Sequence, residues 1–311
     1  MKKLIITIVS ILFITGCGGS DLADGSKIIA EIDGKEITAD ELYESLKETN
    51  GINAMINIID EYIVNDMVET DDDALDYVQA MIDMYKNQYG EENWDELLVS
   101  SGFKDQKAFE EVLLLNYKRE QAIKLFIMES LDEEAVQTYY DEKTVGEMDV
   151  RHILIKPSED AEDQEAEEAK AKELAEEIIA KLEAGEDFSE LAKEYSDDSS
   201  GQDGGAILGV TYDGFVEEFV TASVNLEIGE YTKEPVKSMF GYHIIIKDTQ
   251  EEKPSFENAD PSIRLKLAEE ILNTNSEAVQ TYWKELRKKY NLNISDSELK
   301  SIYNNSNTIE E

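Results

Sequence analysis

The chain has 311 residues, with 71 Asp and Glu against 29 Lys and Arg, a formal charge of −42 at neutral pH. So acidic a balance excludes a nucleic-acid binder, because a phosphate backbone is met with Lys and Arg. A hydrophobic content of 41% suffices for packed cores, and the length points to two domains.

Residues 1–16 read as a signal peptide: Lys2 and Lys3 precede an apolar run from Leu4 to Ile14, too short to span a bilayer as a helix. Ile14-Thr15-Gly16-Cys17 resembles a bacterial lipobox, which implies cleavage before Cys17, lipid attachment to its sulfur and a tether over residues 17–27. Cys17 is the only cysteine, so a lipidated chain has no disulfide and no cysteine metal site. Next, Asp33-Gly34 between Ile28–Ile32 and Lys35–Ile37 predicts a hairpin, and Thr38 with Glu41 predicts a capping box that starts a helix. Helical spacing then dominates to residue 142, through Met55, Ile59, Ile63 and Met67 and later Phe109, Val112, Leu113, Ile123, Phe126 and Ile127. A second capping box is expected at Ser130 and Glu133.

A different unit follows from Glu147 to Asp248: strand, long helix from near Ser158 to Gly185, short helix, glycine-rich loop, short helix and final strands. The acidic run at 159–168 reads as a solvated first helical turn. Beyond Pro254, Asp260-Pro261 predicts another helix start, and Ile263, Leu267, Ile271, Val279, Tyr282 and Leu286 form a stripe that needs a partner surface. The tail from residue 295 is polar and reads as disordered.

The two histidines of the chain both fall in these predicted strands. Alternation puts His152 on a face with Val150 and Leu154, and His243 on a face with Ile245. A buried imidazole needs a partner, so either the two rings meet or each bonds separately to backbone.

Three motifs decide more. Arg151-His152-Ile153-Leu154-Ile155-Lys156 resembles the opening strand of parvulin peptidyl-prolyl isomerases. Phe188 to Ser200, through Tyr195-Ser196-Asp197-Asp198, is similar to their second helix and following loop, and Phe240-Gly241-Tyr242-His243-Ile244-Ile245 to their last strand. Ile32-Asp33-Gly34-Lys35-Glu36-Ile37-Thr38 resembles the start of PrsA-type foldase lipoproteins, related to SurA chaperones. This resemblance implies an α+β chain: a mainly helical chaperone lobe over residues 28–146 and 251–294, and a parvulin domain over 147–250 with a small antiparallel sheet flanked by helices. A disordered tail, 295–311, would complete it. It implies catalytic His152, Asp198 and His243, and a proline pocket of Leu208, Phe215, Phe219 and Phe240. The loop departs from the family pattern at Gly204-Gly205-Ala206-Ile207-Leu208-Gly209, which lacks the usual aspartate and has one extra apolar residue.

The implied function is isomerisation of X–Pro bonds, without cofactor or metal, by a foldase held by Cys17 on the extracytoplasmic face of a bacterial membrane. Its partners would be unfolded exported polypeptides, with a homodimer left open. The alternative is a holdase with a weakly active parvulin domain, binding clients through Met55, Met67, Met81 and Met84 and the cleft beside the insert. A solute-binding lipoprotein would share the lipobox but not the parvulin motifs.

Overall fold

The computed structural model describes residues 25–158 and 163–305. The signal peptide, Cys17 and most of the tether lie outside the described residues, as do positions 159–162 of the acidic run and 306–311 of the tail. Contacts divide the chain into two units: one of residues to Ser130 together with Ala268 onward, the other Leu131–Leu267. No helix among the described residues is long and apolar enough to cross a membrane.

In the first unit, strands β1 (Ile28–Ile32) and β2 (Lys35–Thr38) pair antiparallel across Asp33 and Gly34, whose φ angles of 50° and 74° suit a turn with two left-handed positions. Thr38 then caps α1 (Ala39–Met67): its hydroxyl accepts from the Glu41 N–H, and the Glu41 carboxylate accepts from the Thr38 N–H. Helices α2 (Asp72–Tyr89), α3 (Trp94–Ser100) and α4 (Gln106–Ser130) follow. Ile63, Val64, Ala74, Ile82, Ile123 and Ile127 supply buried faces at helical spacing. From the far end of the chain, α10 (Ser276–Lys289) packs on α4 and α1 and buries Leu286. It also brings Arg287 to Asp60 of α1 as a buried two-point ion pair, Nε–Oδ1 2.7 Å and the second nitrogen to Oδ2 2.8 Å.

The disorder expected from residue 295 does not hold for residues 297–305. Ser297–Asn305 form helix α11, because Asp296 accepts from the N–H groups of Glu298 and Leu299 and Leu299 is buried. Lys47 of α1 binds Asp296 and Glu298 at 3.1 and 2.9 Å, tying α11 down.

The second unit is built on a four-stranded antiparallel sheet of order β4-β3-β6-β5. Its strands are β3 (Met148–Ile155), β4 (Ala206–Val210), β5 (Val236–Ser238) and β6 (Gly241–Gln250). Alternation sorts the faces. Ile153, Ile155, Tyr242 and Ile244 pack with α6 (Gln164–Glu183) and α7 (Phe188–Tyr195). Met148, Val150 and Ile245 pack with α8 (Glu217–Asn225) through Phe219 and Val220. Helix α5 (Glu133–Lys143) and the start of α9 (Phe256–Thr274) join this unit through a separate cluster of Val136, Ala259 and Ile263. The division therefore falls outside both edges of the 147–250 segment marked by sequence.

Three boundary expectations change. Ser130 ends α4, its hydroxyl bonding the Phe126 carbonyl, and Asp132 caps α5 instead. The long helix begins at Gln164 after Asp163, whose carboxylate takes the Ala166 N–H. Pro261 lies inside α9, which starts at Phe256 after Ser255 accepts from Ala259; burial of Ala259 and Ile263 outweighs the one bond Pro261 cannot make.

Candidate active site

The register places His152 opposite Ile245 and His243 opposite Leu154, so the two imidazoles are diagonal neighbours on one face of the β3–β6 pair. Both are buried, and their Nδ1 atoms lie 3.4 Å apart. Of the two readings open to the histidines, the structure shows the one in which the rings meet. Each ring has a further partner. His243 Nε2 is 2.7 Å from the Ser238 hydroxyl, and His152 Nε2 is 3.1 Å from the Ser200 hydroxyl and 3.3 Å from Asp198 Oδ1.

These contacts assign the protons. Asp198 is acceptor-only when ionised, so His152 carries its proton on Nε2. Its Nδ1 then accepts from His243 Nδ1–H, and His243 Nε2 accepts from the Ser238 hydroxyl. Ser238 Oγ in turn accepts from the Phe240 N–H at 3.1 Å. The row Ser238–His243–His152–Asp198 is satisfied with both imidazoles neutral. The electrostatics agree. Burial, and then the neighbouring His152, push His243 down to about 4. Burial also lowers His152, against the opposing pull of Asp198. Asp198 is pushed up by burial, but the Ser200 hydroxyl and N–H, then His152, outweigh that and hold it at about 2.

Local chain geometry sets Asp198. Asp197 N–H bonds the Leu154 carbonyl at 2.8 Å, the Lys156 N–H bonds the Asp197 carboxylate, and Ser196 Oγ takes the Leu154 N–H. Residues 196–198 thereby run stitched to the end of β3. Gly205 lies against the backbone of His152, where a Cβ would come within 2.3 Å of the His152 carbonyl oxygen, and its own carbonyl accepts from the His152 N–H. That close approach is why glycine precedes β4.

An aromatic floor completes the site. The Phe219 ring centroid is 5.4 Å from that of His152 and 5.3 Å from that of His243, edge-on to both, and Phe215 stacks on Phe219 at 5.9 Å. Leu208 and Phe240 are not brought into this group. Leu208 is 75% exposed and Phe240 53%. Ile207, opposite Val150, packs against the cluster that holds Phe219, and Leu208, next along the strand, turns away. Phe240 sits in the two-residue turn between Ser238 and Gly241, outside the sheet face.

Ser200, Ser238 and Ile207 are the residues that sequence reading passed over. Ser238 was within reach: a two-residue turn at Met239-Phe240 pairs Val236 with His243 and puts Ser238 on the same face. Ser200 has no comparable signal, since it depends on how the loop folds back.

The sequence profile of the PPIC-type PPIase domain matches residues 136–251. Foldase protein PrsA of Bacillus subtilis is 30% identical over 312 residues, covering 98% of this chain and 95% of that protein. Foldase protein PrsA 4 of Bacillus cereus is 31% identical over 307 residues, with 97% of each chain covered. Among solved structures, the peptidylprolyl isomerase PrsA from Bacillus cereus matches with a TM-score of 0.52 at 26% identity, covering 92% of this chain and 100% of that one.

Proposed function

The chain belongs to the PrsA foldase family, and we propose that it isomerises X–Pro bonds in exported polypeptides with His152, His243 and Asp198 beside a Phe215–Phe219–Ile207 pocket. The observation that carries this reading is the buried His152–His243 pair facing Phe219. Amide resonance resists twisting by about 18–20 kcal/mol. Planarity places negative charge on the carbonyl oxygen, and twisting withdraws it to the prolyl nitrogen. An imidazolium beside that oxygen would stabilise the planar form and raise the barrier. Two neutral imidazoles do not, and the ionised Asp198 disfavours charge on the oxygen further. Phe219 and Phe215 offer the ring an apolar seat while the amide turns.

A lipid anchor at Cys17 would hold this activity at the outer face of the membrane, and the tether and lobe would act on clients as they emerge. The test is a protease-coupled assay on an X–Pro peptide with the mature chain and its His152→Ala/His243→Ala variant. We expect acceleration by the wild type and loss of most of it in the variant; a wild type without effect would end the catalytic reading. Anchoring is checked by Cys17→Ser, which should move the protein from the membrane fraction to the medium.

A second reading, a holdase, draws on Ile58 and Tyr62, four residues apart on α1 and 69% and 72% exposed. Of the four methionines considered for that role, only Met84 is exposed. Protection of an unfolded client from aggregation that survives the double His variant would favour it.

A further inference from the structure

Lys247 is the most deeply buried lysine among the described residues, 2% exposed, and the isomerase chemistry does not use it. It lies on β6 four residues beyond His243, and both residues point to the α8 side of the sheet. Its ammonium donates to the Val224 carbonyl at 3.0 Å and to Gln250 Oε1 at 2.8 Å. Gln250 reaches it because a bulge between Val150 and Asp149 pairings inserts Asp248 into β6, bringing residue 250 round to the face of residue 247.

Val224 is in the last turn of α8, the helix that carries Phe219. That helix has nine residues, no side-chain N-cap and no basic residue of its own in its last turn. Helices so short are marginal without outside support. A cation at the C-terminal carbonyls supplies it. Strand β6 therefore grips α8 at two points about 13 Å apart along the strand: His243 against Phe219, and Lys247 on Val224.

We propose that Lys247 is a positioning residue: by holding the C-terminal end of α8 it sets the Phe219 ring against the two histidines and so fixes the width of the proline pocket. The proposal deepens the isomerase reading and rests on it. Lysine is a costly choice for a merely structural plug, since a methionine of similar length would fill the same space without desolvating a charge. A carbonyl tether is what methionine lacks.

The test uses the full mature chain and Lys247→Met, Lys247→Arg and Gln250→Met. In steady-state isomerisation, Lys247→Met should raise KM about fivefold or more with kcat within about twofold, at a thermal midpoint close to wild type. Lys247→Arg should recover part of the KM, and Gln250→Met, which leaves the Val224 bond, should match wild type. A second readout does not need turnover: fluorine NMR of chain labelled with 4-fluorophenylalanine, with the Phe219 signal assigned by Phe219→Leu. That signal should move and broaden in Lys247→Met and stay in place in Gln250→Met. An unmoved signal with unchanged KM overturns the proposal, as does an equal effect of Gln250→Met. If Lys247→Met fails to fold, Lys247→Gln, which also lacks the ammonium, takes its place, and an unmoved signal with unchanged KM in that variant overturns the proposal. Absence of wild-type turnover would sink the isomerase reading instead, and the fluorine signal would still decide the placement of Phe219.

Discussion

Replacing Asp60 by alanine should destabilise one unit of the protein and leave the other working. Asp60 and Arg287 are 227 residues apart in sequence and join α1 to α10 in a buried pair with both guanidinium contacts below 3 Å. Arg287 also bonds Tyr303 and lies 5.4 Å from the Trp283 ring. Arg119 is close enough to Asp60 to feel its charge, though burial, the larger effect, lowers its pKa. Removing Asp60 leaves two guanidiniums in the same interior with one carboxylate fewer. Breaking a buried pair from one side costs about 3–5 kcal/mol, most of it the stranded charge. With a urea dependence of about 2 kcal/mol per molar, the midpoint should fall by about 2 M. The assay is built into the chain: both tryptophans, Trp94 and Trp283, belong to the first unit, whereas the histidine pair belongs to the second. Tryptophan fluorescence in urea therefore follows the helical unit, and proline isomerisation follows the other. Asp60→Ala should shift the fluorescence transition and spare isomerisation without urea. Asp60→Leu combined with Arg287→Met should restore most of the midpoint. A shift below about 0.5 M, or no recovery in the double variant, would show that the pair does not carry the closure of this unit.

Other expectations follow from the site. Because the chain has two histidines, each ring titrates as one resolvable NMR signal, and His243 should show a midpoint of about 4 rather than 6.5. Its folded pKa is depressed, so stability is full above 6.5 and is lost as pH falls toward 4, a loss of about 3 kcal/mol in the second unit; acid unfolding that begins only below pH 4 would contradict this. Asp198 adds a further loss between its ordinary value of 3.8 and about 2. Ser238→Ala removes the donor to His243 Nε2 and the acceptor of the Phe240 N–H, and should cost about 1–3 kcal/mol in thermal or urea unfolding, with a change in the His243 signal. Ile207→Ser should weaken kcat/KM while Leu208→Ser leaves it near wild type, and the reverse order would restore Leu208 to the pocket.

Much of the site was legible because it obeys local rules. Strand alternation at Val150-Arg151-His152 and Tyr242-His243-Ile244 was enough to turn both imidazoles inward, and parvulin-like motifs supplied Asp198 and Phe219. Asp33-Gly34 and the Thr38–Glu41 box were readable for the same reason, since turn and cap chemistry act within four residues. The helix starts near Ser158 and at Asp260-Pro261 were misplaced because several nearby residues could cap, and the choice among them is made by which turn buries its apolar face.

The amino-acid order thus set most element types and the inward histidines, while the α+β class came from the parvulin resemblance. The element types and the inward histidines rest on dihedral preference and on apolar periodicity, which are short-range and need no partner. The 3.4 Å meeting of the rings, the Ser238 and Ser200 partners, the inward turn of Ile207 rather than Leu208 and the bond of Lys247 to α8 came from packing. Each depends on strand register, a bulge or a loop folding back, and these are settled by free energies summed over residues far apart in the chain. Helix α11 is the plainest case: its polar sequence reads as a tail until Asp296 caps it, Leu299 is buried and Lys47 of α1, some 250 residues earlier, pairs with its first turn.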